Sequence, residues 1–179
     1  MILRVVMIVA ALIGLVLTIA ATKSKTFRIE RSISMDAPPE RVFMLIDNLG
    51  SWPRWAPQDR EDPSMKRTYS GPINGIGAVS EWTGSGNSGR GRMLITDSLP
   101  STRISLQVDW VKPFVARNVN DFVLESTGTS TKVTWTMQGP NLYVMRIMSI
   151  FVNMDRTMGK HFEAGLANLK AVAEQGPDR

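Results

Sequence analysis

Few side chains in this sequence could perform acid–base, nucleophilic or metal chemistry. The chain contains no cysteine and one histidine, His161. The lack of cysteine excludes thiolate catalysis, disulfides and cysteine-rich zinc sites. The sequence also lacks the spaced histidine or aspartate patterns of a metal site, so we expect neither a metal nor another cofactor. His161 lies beside Phe162 in a helical pattern, where we interpret it as a helix-surface or capping partner.

Asp155 and Asn120 are the two candidates for a catalytic role. Helical spacing places Asp155 at the edge of an apolar stripe that contains Phe151 and Met158. Burial there would raise the pKa of Asp155, as a general acid requires, whereas an ion pair with a nearby arginine is the alternative. Asn120 and Asn118 fall on the apolar side of a predicted strand, so their amides could orient a carbonyl group.

A larger set of side chains could contact an apolar ligand. Tryptophans supply large apolar surfaces, and methionine thioethers repack around varied shapes. Ordinary core packing is the alternative for many of these residues. The predicted ligand-binding residues are Trp82, Met93, Leu106, Val108, Trp110, Asn118, Asn120, Phe122, Trp135, Met137, Met148, Phe151, Met154 and Met158.

Alternating apolar and polar residues predict an antiparallel meander between residues 65 and 138. Leu106, Val108 and Trp110, for example, alternate with Gln107 and Asp109. One face of the sheet is therefore expected to be apolar and the other wet. The glycine-rich run at 84–91 lacks the lysine and the following helix of a phosphate-binding loop, so it predicts a hairpin turn. The predicted strands span residues 27–35, 65–70, 78–82, 91–97, 103–111, 116–125 and 132–138.

Helical patterns flank this meander. Pro39 predicts the first turn of a short helix that ends near Gly50. Trp52 and Trp55 follow in a second short turn, where their spacing of three residues places both rings on one face. Residues 142–174 have the apolar stripe of one long amphipathic helix. The predicted class is therefore α+β, with a curved sheet and a long C-terminal helix.

The N-terminal residues 5–21 form an uncharged apolar run, preceded by Arg4 and followed by Lys23 and Lys25. A helix of this length spans about 26 Å, close to the thickness of a hydrocarbon core. We expect an uncleaved, single-pass membrane anchor, and a cleaved signal peptide is the alternative. The greater positive charge after the run predicts, by the positive-inside rule, that the following domain faces the cytoplasm.

The net charge of +5 does not indicate nucleic-acid binding, because basic residues such as Arg54 and Arg67 are mixed with acidic residues such as Asp59. We interpret these charges as a solvated surface. The expected organisation is an N-terminal transmembrane or signal-like helix at 1–22, one domain at 26–175 and a flexible tail at 176–179. We expect the chain to be monomeric.

Three segments of the sequence resemble the SRPBCC superfamily, specifically its polyketide cyclase/dehydrase-like branch. They read FRIERSISMDAPPERVFMLIDNLGSWPRW, MKRTYSGPINGIGAVSEW and KVTWTMQGP. The resemblance covers roughly residues 26–174 and implies a START-like helix-grip fold. In this fold seven antiparallel strands wrap around the last helix and leave a cavity for apolar ligands between the sheet and the helix. Members of the superfamily include transfer proteins, cyclases, oxygenase domains and chaperone cofactors, so the fold does not select a function.

Three functions follow as hypotheses. The first is a membrane-anchored binding or carrier domain for a hydrophobic small molecule or lipid, held between the sheet and the C-terminal helix. The second is a cyclase- or dehydratase-like enzyme that acts on an apolar substrate. The third is a membrane-tethered protein-interaction module that uses the outside of the fold.

Overall fold

The computed structural model describes residues 2–112 and 115–175, and the expected tail at 176–179 lies outside them. The described chain contains five α-helices, two 3₁₀ helices (Leu49–Arg54 and Gly86–Ser88) and one seven-stranded sheet. The helices are α1 (Ile2–Thr22), α2 (Pro39–Asp47), α3 (Pro57–Glu61), α4 (Tyr143–Phe151) and α5 (Met154–Glu174). The strands are β1 (Thr26–Met35), β2 (Lys66–Ser70), β3 (Val79–Thr83), β4 (Arg90–Leu99), β5 (Arg103–Lys112), β6 (Ala116–Thr127) and β7 (Ser130–Pro140).

The sheet is antiparallel throughout, with the strand order β1-β7-β6-β5-β4-β3-β2. Each strand pairs with its successor except β1, which pairs with β7. Short turns of the kind that the sequence indicates join the strands, and Gly128 takes a φ of +74° in the turn between β6 and β7. The glycine-rich run joins β3 to β4, so the predicted helix-grip fold and its hairpin turn are both confirmed.

An aromatic cluster fills the space between the sheet and α5. Trp135 stacks on Phe162 of α5 with 4.0 Å between ring centroids, and on Phe122 with 4.9 Å. Trp52 and Trp55 share one face, as predicted, with their rings 4.6 Å apart. Their indole N–H groups donate to backbone carbonyls near the end of α2, so both rings stay satisfied while buried. This part of the interior is filled by the chain's own side chains.

The C-terminal region contains two helices where the sequence predicted one. Val152 is extended, with φ −126° and ψ 129°, and Asn153 caps α5 by accepting a hydrogen bond from the backbone N–H of Arg156 at 2.9 Å. An asparagine that satisfies a first-turn N–H favours the start of a new helix over the continuation of an old one. The prediction of one helix was wrong because the apolar stripe continues from Phe151 to Met154 across the break.

Arg31 of β1 fixes the beginning of α5. Its guanidinium donates to Asp155 at 3.0 Å and to Glu163 at 2.8 Å, and it lies directly over Gly159. A Cβ atom at residue 159 would occupy the same space, so glycine is required for this approach. At its other end, α5 is held by the Lys170 ammonium, which donates to the Ser34 carbonyl at 2.9 Å. The helix therefore follows β1 from Arg31 towards its C-terminal end.

A buried ion pair joins α3 to β2. Arg67 donates to both carboxylate oxygens of Asp59 at 2.7 Å, and the two side chains are only 5% and 11% exposed. Arg67 also donates to the Ser80 hydroxyl at 3.2 Å. The prediction of a solvated surface was wrong for these two charges, because the fold places α3 over the edge of the sheet.

Among the described residues, α1 alone is long and apolar enough to cross a membrane. A signal sequence near an N-terminus would have the same length and composition. The Tyr143 hydroxyl of α4 donates to the Leu17 carbonyl of α1 at 2.8 Å, and Ala20 is fully buried. The end of α1 therefore packs against α4, while most of its apolar side chains stay exposed.

Candidate functional site

Ten of the predicted ligand-binding residues lie on the sheet face that packs against α5. The strand register arranges them in four adjoining rows, which run across the strands. The first row contains Trp82 and Trp110; the second Met93, Val108 and Asn118; the third Leu106, Asn120 and Met137; and the fourth Phe122 and Trp135. The sequence pattern could assign a face to each residue, but only the register shows which residues are neighbours.

The fourth row packs against Phe162 of α5, and the first three rows lie nearer to the start of β1, where all their residues except Trp110 are also buried. Arg31 pairs with Trp135 in the register and binds Asp155 in the first turn of α5. Since α5 follows β1 from that point, Phe27 and Ile29, which precede Arg31, lie beyond the start of the helix. We define rows one to three as the open-end site. It lies where β1 begins and β7 ends.

Trp82 forms a rigid wall of this site. Its ring lies over Gly91 and meets Trp110 edge to face, with 5.1 Å between the ring centroids. Its indole N–H donates to the Ser88 carbonyl at 3.0 Å. A glycine at 91 is required because a Cβ atom there would overlap the Trp82 ring. The wall is therefore built by one tryptophan, one glycine and the β3–β4 turn.

Asp62 holds that turn in place. Its carboxylate accepts hydrogen bonds from the Ser64 hydroxyl, and from the backbone N–H of Ser85 at 2.6 Å. These two hydrogen bonds, the Ser64 hydroxyl first, lower the pKa of Asp62 from its usual value to about 2. The carboxylate is therefore ionised at neutral pH and ties the chain after α3 to the turn beneath Trp82.

Two asparagine amides face the interior and differ in their partners. The Asn120 Oδ1 atom accepts the indole N–H of Trp135 at 2.9 Å. The Asn118 Oδ1 atom is buried and has no hydrogen-bond partner within the described part of the chain. Its Nδ2 atom is 3.9 Å from the sulfur of Met137, a poor acceptor, and the amide lies over Gly139. Asn118 is therefore a buried polar group with unused hydrogen-bonding capacity.

The four predicted ligand-binding residues on the helices divide into two groups. Met154 and Met158 of α5 are half-buried, and Met158 packs against the core. Met148 and Phe151 belong to α4 and are 41% and 72% exposed. Of the four, only Met158 packs against the core, whereas Met154 and Phe151 line a groove on the outside of the sheet–helix interior.

Asp155 is exposed and ion-paired, contrary to the expectation of a buried carboxyl. Its side chain is 60% exposed and binds Arg31 at 3.0 Å, which is the alternative that the sequence left open. His161 lies 3.7 Å from a carboxylate oxygen of Glu61 on the surface of α5. Neither side chain is directed at the open-end site. No group of His, Asp and Glu side chains suited to a metal occurs in the described ranges.

An open groove of about 540 Å³ lies at the junction of α1, α4 and α5. Lys23 and residues 149–155 line it. The groove is outside the sheet–helix interior, where the sequence predicted a cavity.

Sequence reasoning missed the glycines and one aromatic residue of this region. The Trp82 ring packs against the backbone of Gly91, and the Asn118 amide packs against the backbone of Gly139. Phe27 lies opposite Gly139 in the strand register. The available signal was a glycine on the inward side of an otherwise apolar strand, a position that often marks a close approach.

A family model described as "Polyketide cyclase / dehydrase and lipid transport" matches residues 26–174. No curated protein matches the sequence.

Solved structures share the fold at low identity. A Chromobacterium violaceum protein is 15% identical, with a TM-score of 0.59 over 86% of this chain and 99% of its own. The Aha1 protein of Colwellia psychrerythraea, solved as a dimer, is 18% identical, with a TM-score of 0.56 over 85% and 99%. The major latex-like protein 151 of Panax ginseng is 12% identical, with a TM-score of 0.61 over 84% and 99%. Likeness at this level shows the fold alone.

Proposed function

Because the chain belongs to the polyketide cyclase / dehydrase and lipid transport family, we propose that it binds and carries a hydrophobic small molecule or lipid in the open-end site, anchored in a membrane by α1. The observation that carries this proposal is the unpartnered Asn118 Oδ1 atom on a largely apolar face, where the other amide, Asn120, already accepts a hydrogen bond from Trp135. A buried acceptor without a partner costs about 1–3 kcal/mol. A ligand with an apolar body and one hydroxyl or N–H donor would recover that cost.

The side chains around Asn118 suit a ligand that varies in shape. Met137 of the third row and Met158 of α5 belong to the same packed interior, and their unbranched thioethers can repack. Trp82 is held by a hydrogen bond and by Gly91, so it provides a fixed apolar surface opposite these mobile groups. Ligand entry in this proposal moves the methionines and leaves the aromatic cluster of the fourth row intact.

Co-purification tests the proposal directly. The full chain would be isolated from membranes in mild detergent, and its bound molecules would be identified by native mass spectrometry and organic extraction. We expect one apolar molecule per chain. A protein that carries no molecule, and that takes up none from a panel of lipids, sterols and polyketides, would contradict the proposal.

Asn118→Leu tests the polar contact. We expect the free energy of unfolding to rise by about 1 kcal/mol, because an unsatisfied amide is replaced by an apolar side chain. Affinity for a donor-bearing ligand should fall about tenfold, which corresponds to about 1.4 kcal/mol. Gln138→Leu, an amide replacement on the opposite face of the neighbouring strand, is the matched control and should leave affinity unchanged. Equal affinity in Asn118→Leu and wild type would exclude Asn118 from the site.

The side of the membrane is a separate part of the proposal. Lys23 and Lys25 follow α1 directly, and this supports a domain that faces the cytoplasm. Labelling of a single engineered cysteine, Thr129→Cys, from either side of sealed vesicles measures the orientation without interference, because the natural chain has no cysteine.

A further inference from the structure

The helix α4 presents four large apolar side chains outward. Tyr143, Val144, Met148 and Phe151 are 41%, 43%, 41% and 72% exposed, and no residue of α4 is buried. These four positions lie on one side of the helix. A surface helix normally turns its apolar stripe to the core. The outward face of α4 therefore needs a cover that the described part of the chain does not provide.

The contact with α1 fixes the position of this face along the axis of α1. The Tyr143 hydroxyl donates to the Leu17 carbonyl at 2.8 Å. Leu17 precedes Thr22, the last residue of α1, by five positions, about 7.5 Å along the helix axis. If α1 spans a bilayer, Tyr143 lies just inside the end of the span, at the depth where tyrosine is enriched and where interfacial helices lie.

The charges in the same region have one sign. Residues 23–25 and 141–154 contain Lys23, Lys25 and Arg146 and no acidic residue, and the next residue, Asp155, is paired with Arg31. The Arg146 guanidinium lies 4.9 Å from the Tyr143 ring centroid, and its buried Nε atom has no hydrogen-bond partner among the described residues. Cations beside an apolar helix face match the phosphate layer of an anionic bilayer.

From these observations we infer that α4 is an interfacial membrane helix, and that its exposed face is covered by an anionic phospholipid bilayer. The inference rests on the proposed membrane anchoring by α1. Asn141, just after β7, donates its backbone N–H to the Lys25 carbonyl at 2.7 Å, so the ends of β1 and β7 adjoin α1 and α4. The open-end site then faces the bilayer, and an apolar ligand can pass between them without crossing bulk water.

Site-specific labelling tests this placement in the full chain. Since the chain has no cysteine, Phe151→Cys and Met148→Cys each supply one position for an environment-sensitive fluorophore. Vesicles would contain phosphatidylcholine with or without phosphatidylglycerol, and with a lipid-bound quencher. We expect a blue shift and the loss of most fluorescence at both positions, with a larger effect in the anionic vesicles. Thr129→Cys, in the turn at the other end of β7, is the control and should be quenched only by aqueous iodide.

One further label separates the possible failures. Leu12→Cys reports insertion of α1. Quenching by lipid at Leu12→Cys, combined with iodide quenching at Phe151→Cys, would overturn the interfacial role of α4 while the anchor stands. Disulfide cross-linking between Phe151→Cys chains would overturn it in favour of a second copy as the cover. Lipid quenching at Phe151→Cys in a protein that binds no apolar ligand would support the helix placement and contradict only the proposed function.

Discussion

Asn118 and Asn120 show how neighbouring residues with the same chemistry acquire different roles. Both lie on the inward side of β6, two positions apart. Asn120 serves the fold, because its oxygen satisfies the buried indole N–H of Trp135. Asn118 accepts no hydrogen bond from another side chain: its amide lies over Gly139, and its oxygen is unpaired in the described structure. At the scale of single residues, the candidate site is distinguished by a buried oxygen without a hydrogen-bond donor, while its residue types are ordinary.

Asn120→Leu should lower the free energy of unfolding by about 1–3 kcal/mol, because it leaves the Trp135 N–H buried without an acceptor. Denaturant unfolding of the full chain in detergent measures this change. The double variant Asn120→Leu/Trp135→Phe removes both partners and should recover most of the loss. A double variant that is no more stable than Asn120→Leu would show that the hydrogen bond is not the cause.

The elements of the chain are positioned by a few side-chain contacts. Arg31 holds the start of α5 on β1, and Asn153 ends the continuity between α4 and α5. Asp62 ties the segment after α3 to the turn under Trp82. These contacts determine which rows of the sheet are covered. They place the aromatic cluster under α5 and leave the open-end site beyond it.

Gly159→Ala tests the packing of α5 against Arg31 of β1. Alanine is favoured over glycine in a helix by about 1 kcal/mol, yet its Cβ would occupy the space of the Arg31 guanidinium. We expect a net decrease in the free energy of unfolding, measured by denaturant titration. In an Arg31→Met background the same substitution should be less destabilising or stabilising, because the charge network is already lost. A stabilising effect in the wild-type background would mean that Arg31 relaxes without cost.

The whole molecule has a polar arrangement, with α1, α4 and the open-end site at one end and the β6–β7 turn at the other. Lys23, Lys25 and Arg146 lie at the first end, beside the contact of α4 with the C-terminal part of α1. The proposed membrane anchor and the proposed ligand site therefore lie at the same end of the molecule. The groove of about 540 Å³ beside Lys23 lies at the same end.

Tyr143→Phe should loosen α4 from α1 without unfolding the domain, since it removes one exposed hydrogen bond and keeps the ring. Spin labels at Met148→Cys would report greater mobility of α4 in vesicles, and the midpoint of domain unfolding should change little. Tyr69→Phe, a tyrosine on the edge strand β2, is the matched control. Unchanged mobility in Tyr143→Phe would show that the bilayer alone orders the helix.

The sequence by itself determined the fold class, the strands and the inward face, because period-two alternation and the turn glycines are local properties of the chain. It also assigned Trp82, Asn118 and Met137 to one face. Only the tertiary structure decided which of these residues are neighbours, because register and helix placement depend on contacts between distant segments. Arg31 and Asp155 are 124 positions apart, yet their ion pair determines where α5 begins on the sheet. The same long-range packing filled the predicted cavity with Trp135 and Phe162 and left Asn118 unpaired.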